Sequence, residues 1–428
     1  MAIAQEGDPS SAQEPSARRP ESRRLAVRVT KDAARQIRGG HPWVFDNSIV
    51  SIKPEGSSGD LAVIFDDKRQ FMAVGLYDPE SPIRIKVLHH GKPRTIDGTF
   101  WQERLEAAQQ IRLNAFDPER TNGYREVHGE NDGLPGLVLD RYGDVHVLKL
   151  YSAAWLPHLD DLVQGIQTVF QPASLVLRLS RGLSQTVRRR PGAGVSDGQV
   201  LTGEIPGGPV RFVENGLRYE ADVIHGQKTG FFLDQRDNRA RVRRLSHGAK
   251  VLDVYSCSGG FSVNAAAGAA RLVHSVDISE AAIASAKRNM ALNGSRPEVR
   301  ACSHQVAVGD AMTVMSQMIT AGRSFDMVIV DPPSFASKQS QVEGALRAYA
   351  KLTEMACQLL VPGGRLVQAS CSARVTADEF NVAVVEAAHG AGFLLDDLAE
   401  TGHGVDHPVG FAQGAYLKAV FATVHRAR

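Results

Sequence analysis

Long apolar runs are missing from this chain of 428 residues. No stretch of roughly 18 consecutive apolar residues occurs, which argues against a transmembrane helix. Cysteine is scarce: the four residues at 257, 302, 357 and 371 form no C-x-x-C pair and lack the density of a secreted scaffold. A disulfide framework and a structural zinc site are therefore not expected, and a reducing cytoplasm is. An excess of one charge is also missing, since 49 Lys and Arg face 47 Asp and Glu for a formal charge of +2. A polyanionic partner must then be met by local patches, not by a global field. Residues 1–24 have almost no large apolar side chains and are rich in Ala, Ser, Pro, Glu and Arg. Such a segment cannot bury enough surface to order itself, so a disordered tail is expected. Its acids, Glu6, Asp8, Glu14 and Glu21, go against a transit peptide. The chain's main glycine turn also lacks the spacing of G-x-G-x-x-G and of G-x-x-x-x-G-K-S/T, which counts against pyrophosphate and nucleoside triphosphate cofactors.

That turn lies in residues 251–261, V-L-D-V-Y-S-C-S-G-G-F. A buried strand ends on small residues and opens into a small-residue helix over 261–270. This is the strand–turn–helix of a doubly wound sheet, where ligands sit beyond the carboxyl ends of the strands. The next predicted strand, 272–276, ends on Asp277, an acid placed to hydrogen-bond a ribose. A nucleoside cofactor without phosphates fits, and S-adenosylmethionine is the common one. Strands predicted at 251–255, 272–276, 305–308, 327–330 and 365–369 alternate with helical stretches, and further strands lie near 393–398 and 416–425. Alternation of this kind means parallel βαβ units in an α/β domain. A hairpin turned at Asn215-Gly216 leads into this domain, which spans 210–428. Before it, strands at 25–29, 61–65, 71–76 and 83–88 predict a β-rich module over 25–100. A helix at 100–116, a Gly- and Asp-rich hairpin in 129–150, a helix at 155–170 and a strand at 174–178 predict a middle α+β unit over 101–209. The Pro/Gly/Ser-rich segment 190–208 reads as a linker or long loop.

Three acids close three strands of the last domain, and all point to one rim. Asp277 can accept from ribose hydroxyls. Asp310 can accept from an adenine amino group while the Ala311 amide donates to the ring. Asp253 and Asp331 then sit under the methionine end. The plain alternative for any one of these acids is a helix N-cap. Asp331-Pro332-Pro333-Ser334-Phe335 predicts a stiff loop with exposed carbonyls and an aromatic face, Phe335, on which a base can stack, worth about 1–3 kcal/mol. Cys371, in Ser370-Cys371-Ser372 at the end of the fifth strand, is expected on the same rim. A thiolate there can attack C6 of a pyrimidine and make C5 nucleophilic towards a sulfonium methyl; a base then removes the C5 proton and the enzyme is eliminated. Cys302 and Cys357 read as small buried apolar residues, and Cys257 as a small residue required by its turn. Arg236, Arg239 and Arg243 share a helix face; turned to a cleft they would hold phosphates, as would Arg178, Arg181 and Arg188–Arg190.

Together, D-V-Y-S-C-S-G-G-F-S, D-P-P-S-F, S-C-S and G-Q-K-T-G-F-F-L-D-Q-R resemble the bacterial and archaeal 23S rRNA large-subunit cytosine-C5 methyltransferases with an N-terminal PUA domain. H-P-W-V-F at 41–45, G-E-N-D-G-L-P-G-L at 129–137 and D-H-P-V at 406–409 extend the likeness from about residue 25 onwards. The resemblance implies a PUA-like β-barrel, a middle α+β domain and a Rossmann-like class I methyltransferase domain with an antiparallel final strand. It implies S-adenosylmethionine held by Gln235, Asp253, Tyr255, Ser256, Gly259, Phe261, Asp277, Asp310 and Asp331, with Cys371 as the single nucleophile and ribosomal RNA as partner. Pro332, Pro333, Phe335, Arg236 and Arg239 are the expected RNA contacts, and Asp331 the expected assistant to Cys371. Pro333-Ser334 stands where some RNA cytosine methyltransferases carry a second cysteine, so release must proceed without one. His407 matches a family residue of underived role. No metal and no membrane are expected, and self-association into a homodimer stays open. Two other functions fit the same residues: an amine methyltransferase giving N-methylguanine through the D-P-P loop, and an RNA binder that only senses the cofactor.

Overall fold

The computed structural model describes residues 23–189 and 194–427. Most of the expected tail (residues 1–22), Arg190 and residues 191–193 lie outside the described residues. Order is already present at Arg24, which opens the first strand, Arg24–Val29. Leu25, Val27 and Val29 alternate inward along it, as one buried face of a strand requires. This strand pairs in parallel with Leu61–Phe65 and antiparallel with Ile49–Lys53. Phe71–Tyr77, Ile83–His90 and Trp43–Phe45 complete a six-stranded sheet, and helix Lys31–Arg38 buries Ala33, Ala34 and Ile37 against it.

The middle unit is a five-stranded sheet built from Gly123–His128, Leu137–Tyr142, Val145–Leu150, Ser174–Leu179 and Gln199–Thr202. Helices Gly98–Arg112 and Leu159–Phe170 cover it. Gln199–Thr202 pairs antiparallel with Ser174–Leu179, so part of the segment read as linker is the sheet's edge strand. The units share cores. Leu61, Val74, Leu76 and Leu88 of the first sheet are buried with Trp101, Leu105 and Trp155. Tyr142, Val145 and Val147 are buried with Phe212, Tyr219 and Phe231 of the last domain.

The hairpin Val210–Glu214 and Leu217–Ala221 turns at Asn215 and Gly216, both at positive φ (50° and 75°), the tight turn that suits the strand twist. Helix α1 (Arg236–Leu245) then leads into β1 (Lys250–Val254), α2 (Gly260–Ala267), β2 (Leu272–Asp277), α3 (Glu280–Leu292), β3 (Ser303–Val308), α4 (Ala311–Thr320), β4 (Phe325–Val330), α5 (Val342–Leu359), β5 (Leu360–Ser370), α6 (Ala377–Gly390), β6 (Phe393–Thr401) and β7 (Lys418–Arg426). The sheet order is β3-β2-β1-β4-β5-β7-β6. Six strands run in one direction, five of them joined by parallel pairing, and β7 inserts antiparallel between β5 and β6. The central strands are apolar on both faces. Val251, Met327 and Ile329 pack under α1, α2 and α3, while Leu252, Val254, Val328 and Val330 pack under α4, α5 and α6. Strand order reverses between β1 and β4, so the crevice beyond their carboxyl ends is where ligands bind in such a sheet. Among the described residues no helix is long and apolar enough to cross a membrane.

Candidate active site

After β1 the chain turns through three left-handed residues: Tyr255 (φ 64°), Cys257 (φ 47°) and Gly259 (φ 78°). Ser256 N–H donates to Val276 O at 2.9 Å and Gly259 N–H to Ser256 O at 2.8 Å. A Cβ on Gly259 would lie 2.8 Å from Ala286 Cβ on α3, so only glycine lets turn and helix approach this closely. Asp277 fixes the turn from β2, its Oδ2 accepting from Cys257 N–H and its Oδ1 from Ser279 N–H, both at 2.9 Å. Asp253 is buried beneath. Its Oδ2 accepts from Ser262 Oγ at 2.5 Å, while its Oδ1 has no partner, and neither does the buried Ser256 Oγ. Burial pushes the Asp253 carboxyl up to about 7. Asp310 caps α4, Oδ1 accepting from Thr313 N–H and Oγ1 at 2.9 Å each; these bonds lower its pKa. The N-cap alternative therefore holds for Asp310, with the carboxylate exposed at the rim. Ala311 is buried behind it. Burial and the charge of Asp310 push the Tyr255 phenol up to about 12. The Phe261 ring packs into the core, which leaves its backbone at the helix start as the part that can face a ligand. Ile278, directly after Asp277, is 73% exposed, an apolar face that sequence reasoning missed.

These residues fit an adenosyl amino acid. Buried, unpartnered oxygens of Asp253 and Ser256 beside a small-residue turn suit polar groups of a ligand, and Tyr255 and the exposed Ile278 flank that turn.

The other half of the rim carries Asp331 and Cys371 on neighbouring parallel strand ends, after β4 and β5. Asp331 Oδ1 accepts from Gln235 Nε2 at 3.0 Å, and Gln235 Oε1 accepts from Asn238 at 2.6 Å. Burial, and then the charge of Asp234, push the Asp331 carboxyl up to about 7. Cys371 is half-buried between two buried serines. Tyr349 OH bonds Ser370 Oγ at 2.8 Å and Ser372 Oγ at 3.0 Å, and Lys418 Nζ donates to Ser372 O at 2.7 Å and to Val375 O. Burial pushes the Cys371 thiol up to about 11, against the pull of Lys228. Cys257, raised as far by burial, has only acids among its charged neighbours.

Three expected RNA contacts need correction. Pro332 is buried, so its ring offers no face to a base; Pro333 and Ser334 are exposed. Arg236 and Arg239 point inward. Arg236 Nη1 and Nη2 donate to the Asp406 carboxylate at 2.9 Å each. Arg239 Nε and Nη2 donate to Glu214 at 2.8 and 2.5 Å. Both are buried and already paired, so they hold the domain together and do not hold a phosphate. Arg178 is spent likewise on Asp197, Val223 O and Gly226 O, whereas Arg181 and Arg188 are exposed. Phe335 is half-buried, its ring 5.1 Å from that of Tyr349, a wall of the α5 core with one side left open. His407 is buried, Nδ1 3.0 Å from Asp406 Oδ1, behind the Arg236 pair. Sequence reasoning also missed Lys228, Asp234 and Tyr416: Asp234 Oδ2 accepts from Lys228 Nζ at 3.2 Å and from Tyr416 OH at 2.9 Å. Tyr416 is 182 residues from Asp234, so no sequence window could join them.

The strand order with its antiparallel β7, the glycine turn after β1 and the acids at the carboxyl ends of β1, β2 and β4 define a class I S-adenosylmethionine-dependent methyltransferase, here behind a PUA-like domain. Residues 134–399 match the S-adenosylmethionine-dependent methyltransferase family and residues 27–90 the PUA-like domain family. The chain belongs to that methyltransferase family, in the group of relatives called ribosomal RNA large subunit methyltransferases. One of these, from Deinococcus radiodurans, is 48% identical over 402 residues, 93% of this chain and 97% of the relative. Ribosomal RNA large subunit methyltransferase I of Klebsiella pneumoniae is 33% identical over 392 residues, 91% of this chain and 96% of the relative. An S-adenosylmethionine-dependent methyltransferase of Streptococcus mutans shares the fold at TM-score 0.78 and 20% identity, covering 93% of this chain and 99% of its own. A methyltransferase solved with S-adenosylhomocysteine gives TM-score 0.78, 20% identity and coverage of 94% and 100%.

Proposed function

We propose that this chain methylates C5 of a cytosine in large-subunit ribosomal RNA through a covalent bond between Cys371 and C6. The observation that carries the reading is the placement of a half-buried thiol, Cys371, and a carboxyl, Asp331, on adjacent parallel strand ends. Relatives named as ribosomal RNA large subunit methyltransferases over more than nine-tenths of the chain support RNA as the substrate. Bound S-adenosylmethionine supplies an electrophilic methyl on a sulfonium. Asp253, Ser256, Gly259 and the Phe261 backbone would hold its amino-acid end, and Asp277, Ile278, Tyr255, Asp310 and Ala311 its nucleoside. Gln235 orients Asp331, which hydrogen-bonds the N4/N3 edge of the cytosine. The Cys371 thiolate adds to C6, and the C5=C6 electrons become available at C5. After C5 takes the methyl, Asp331 assists loss of the C5 proton; the double bond reforms and the sulfur leaves as thiolate. Amino or hydroxyl acceptors need no such addition, because they are already nucleophiles. Cys371→Ala is expected to abolish methyl transfer while cofactor affinity stays nearly unchanged, read by a tritiated-methyl assay beside calorimetric titration. Mass mapping of the nucleoside product should give 5-methylcytidine. Methylguanosine, or full turnover in the alanine variant, would overturn the mechanism.

A further inference from the structure

The loop G-Q-K-T-G at 226–230 is held in an unusual way. Lys228 lies in the left-handed region at φ 52° without being glycine, backbone strain of the sort concentrated at functional positions. The middle domain grips the loop at the strained residue and at the one after it. Lys149 Nζ donates to Lys228 O at 2.8 Å, and Thr229 Oγ1 donates to Asp140 Oδ2 at 2.6 Å. The Lys228 stem turns back over the Phe232 ring, with Nζ 4.2 Å from the centroid. Its ammonium donates to Asp234 Oδ2, and 37% of the side chain remains open to the cleft. Asp234 is tied by Tyr416 OH to the segment entering β7, and β7 begins at Lys418, opposite Ser370 in the ladder. Cys371 is the next residue. Gln235, the neighbour of Asp234, donates to Asp331 on the strand end beside Cys371, so the Lys228–Asp234 pair is joined on two sides to the elements that carry the thiol.

We propose that Lys228 is the cation that favours the thiolate form of Cys371, easing its ionisation against the burial that opposes it, and that Asp234 and Tyr416 position Lys228. The proposal rests on Cys371 being the nucleophile. The charged and titratable groups that act on the thiol are Lys228, Lys418, Asp331, Asp234 and Tyr349. Of the two cations, Lys418 spends its donors on Ser372 O and Val375 O, and burial pushes it down to about 8. Lys228 is also disfavoured as a cation by burial, but Asp234 and the sulfur outweigh that and raise it; Arg125 opposes. It therefore stays charged at neutral pH where Lys418 is close to losing its proton. In the reaction the Cys371 proton passes to water in the cleft, and the sulfur pair adds to C6. On elimination the C–S bond breaks, and the pair returns to sulfur beside the same ammonium.

The test needs neither RNA nor methyl transfer, so it can fail independently of the cytosine reading. The full chain is alkylated with iodoacetamide over about pH 6–10, and the Cys371 peptide is followed by mass spectrometry, with Cys257 as the internal comparison. Below the thiol's midpoint the rate follows the thiolate fraction, so in Lys228→Gln alkylation of Cys371 is expected to be about tenfold slower throughout this range, the equivalent of about one pH unit. Cys257 should be unchanged and Lys228→Arg should keep most of the rate. Lys228→Met, whose stem still covers Phe232, makes the same prediction should the glutamine variant not fold. Superimposable Cys371 profiles for Lys228→Gln and the unaltered chain would overturn the proposal. Equal slowing in Lys228→Arg would also overturn it, because packing and not charge would then be responsible.

Discussion

A carboxyl group buried without a full set of donors prefers its proton, and Asp253 is such a group. Its ordinary value is about 4, and burial raises it to about 7 in the fold. Because the folded value is the higher, the stability linked to this group is present below about pH 4 and is lost as pH rises through about 7. Asp253→Asn keeps an oxygen for the Ser262 hydroxyl and carries no charge. Calorimetric melting should therefore show the variant more stable than the unaltered chain at about pH 8 and little different at about pH 5, with weaker S-adenosylmethionine binding at both. A lower Tm for the variant at about pH 8 would contradict that account. The positions of Asp253, Asp277, Asp331 and Cys371 at or just past the carboxyl ends of strands were readable, because each strand announces itself by a short apolar run. The fates of Arg236 and Arg239 were not. Helical spacing says that they share a face, but the carboxylates that draw this face inward, Asp406 and Glu214, lie 170 and 25 residues away.

At the scale of the element, legibility followed length and burial. The central strands β1, β2 and β4 of the last sheet are buried on both faces and were placed within two residues of their observed ends. Trp43–Phe45 is only three residues long, too short for any period to register, and Ile49–Lys53 is only partly covered. Gln199–Thr202 was hidden because an edge strand tolerates the polar, Gly-rich surroundings that otherwise mark a loop. The turn after β1 has a sharper requirement. Gly259→Ala puts a Cβ at φ 78° and 2.8 Å from Ala286 Cβ. The substitution is expected to destabilise the fold by at least about 1 kcal/mol in urea unfolding. It should also weaken cofactor binding, since α3 or the turn has to move. A variant with unchanged midpoint would mean that the turn has slack which this packing does not show.

Across the whole molecule, one segment holds three units together. Between β6 and β7, Asp406 takes the Arg236 guanidinium, accepts from Arg125 N–H at 3.1 Å, and offers its carbonyl to Arg112 Nη2 at 2.9 Å. Gly410 N–H donates to Asn131 Oδ1 at 2.6 Å, and the Phe411 ring stands 5.1 Å from that of Trp43, whose Nε1 donates to Glu130 at 2.9 Å. Asp406→Ala would leave Arg236 buried with its main anion gone. A loss of about 3–5 kcal/mol is expected in denaturant melts followed by tryptophan fluorescence, with Asp406→Asn intermediate. The order of strands adds a constraint in time. During synthesis β6 emerges before β7, its one partner strand among the described residues, so its ladder stays empty until β7 has left the ribosome. Tyr416 and Lys418 arrive with that same last stretch. A chain that stops before Lys418 therefore leaves one edge of β5 and the whole ladder of β6 unpaired, and removes the ammonium that ties down Ser372 and Val375.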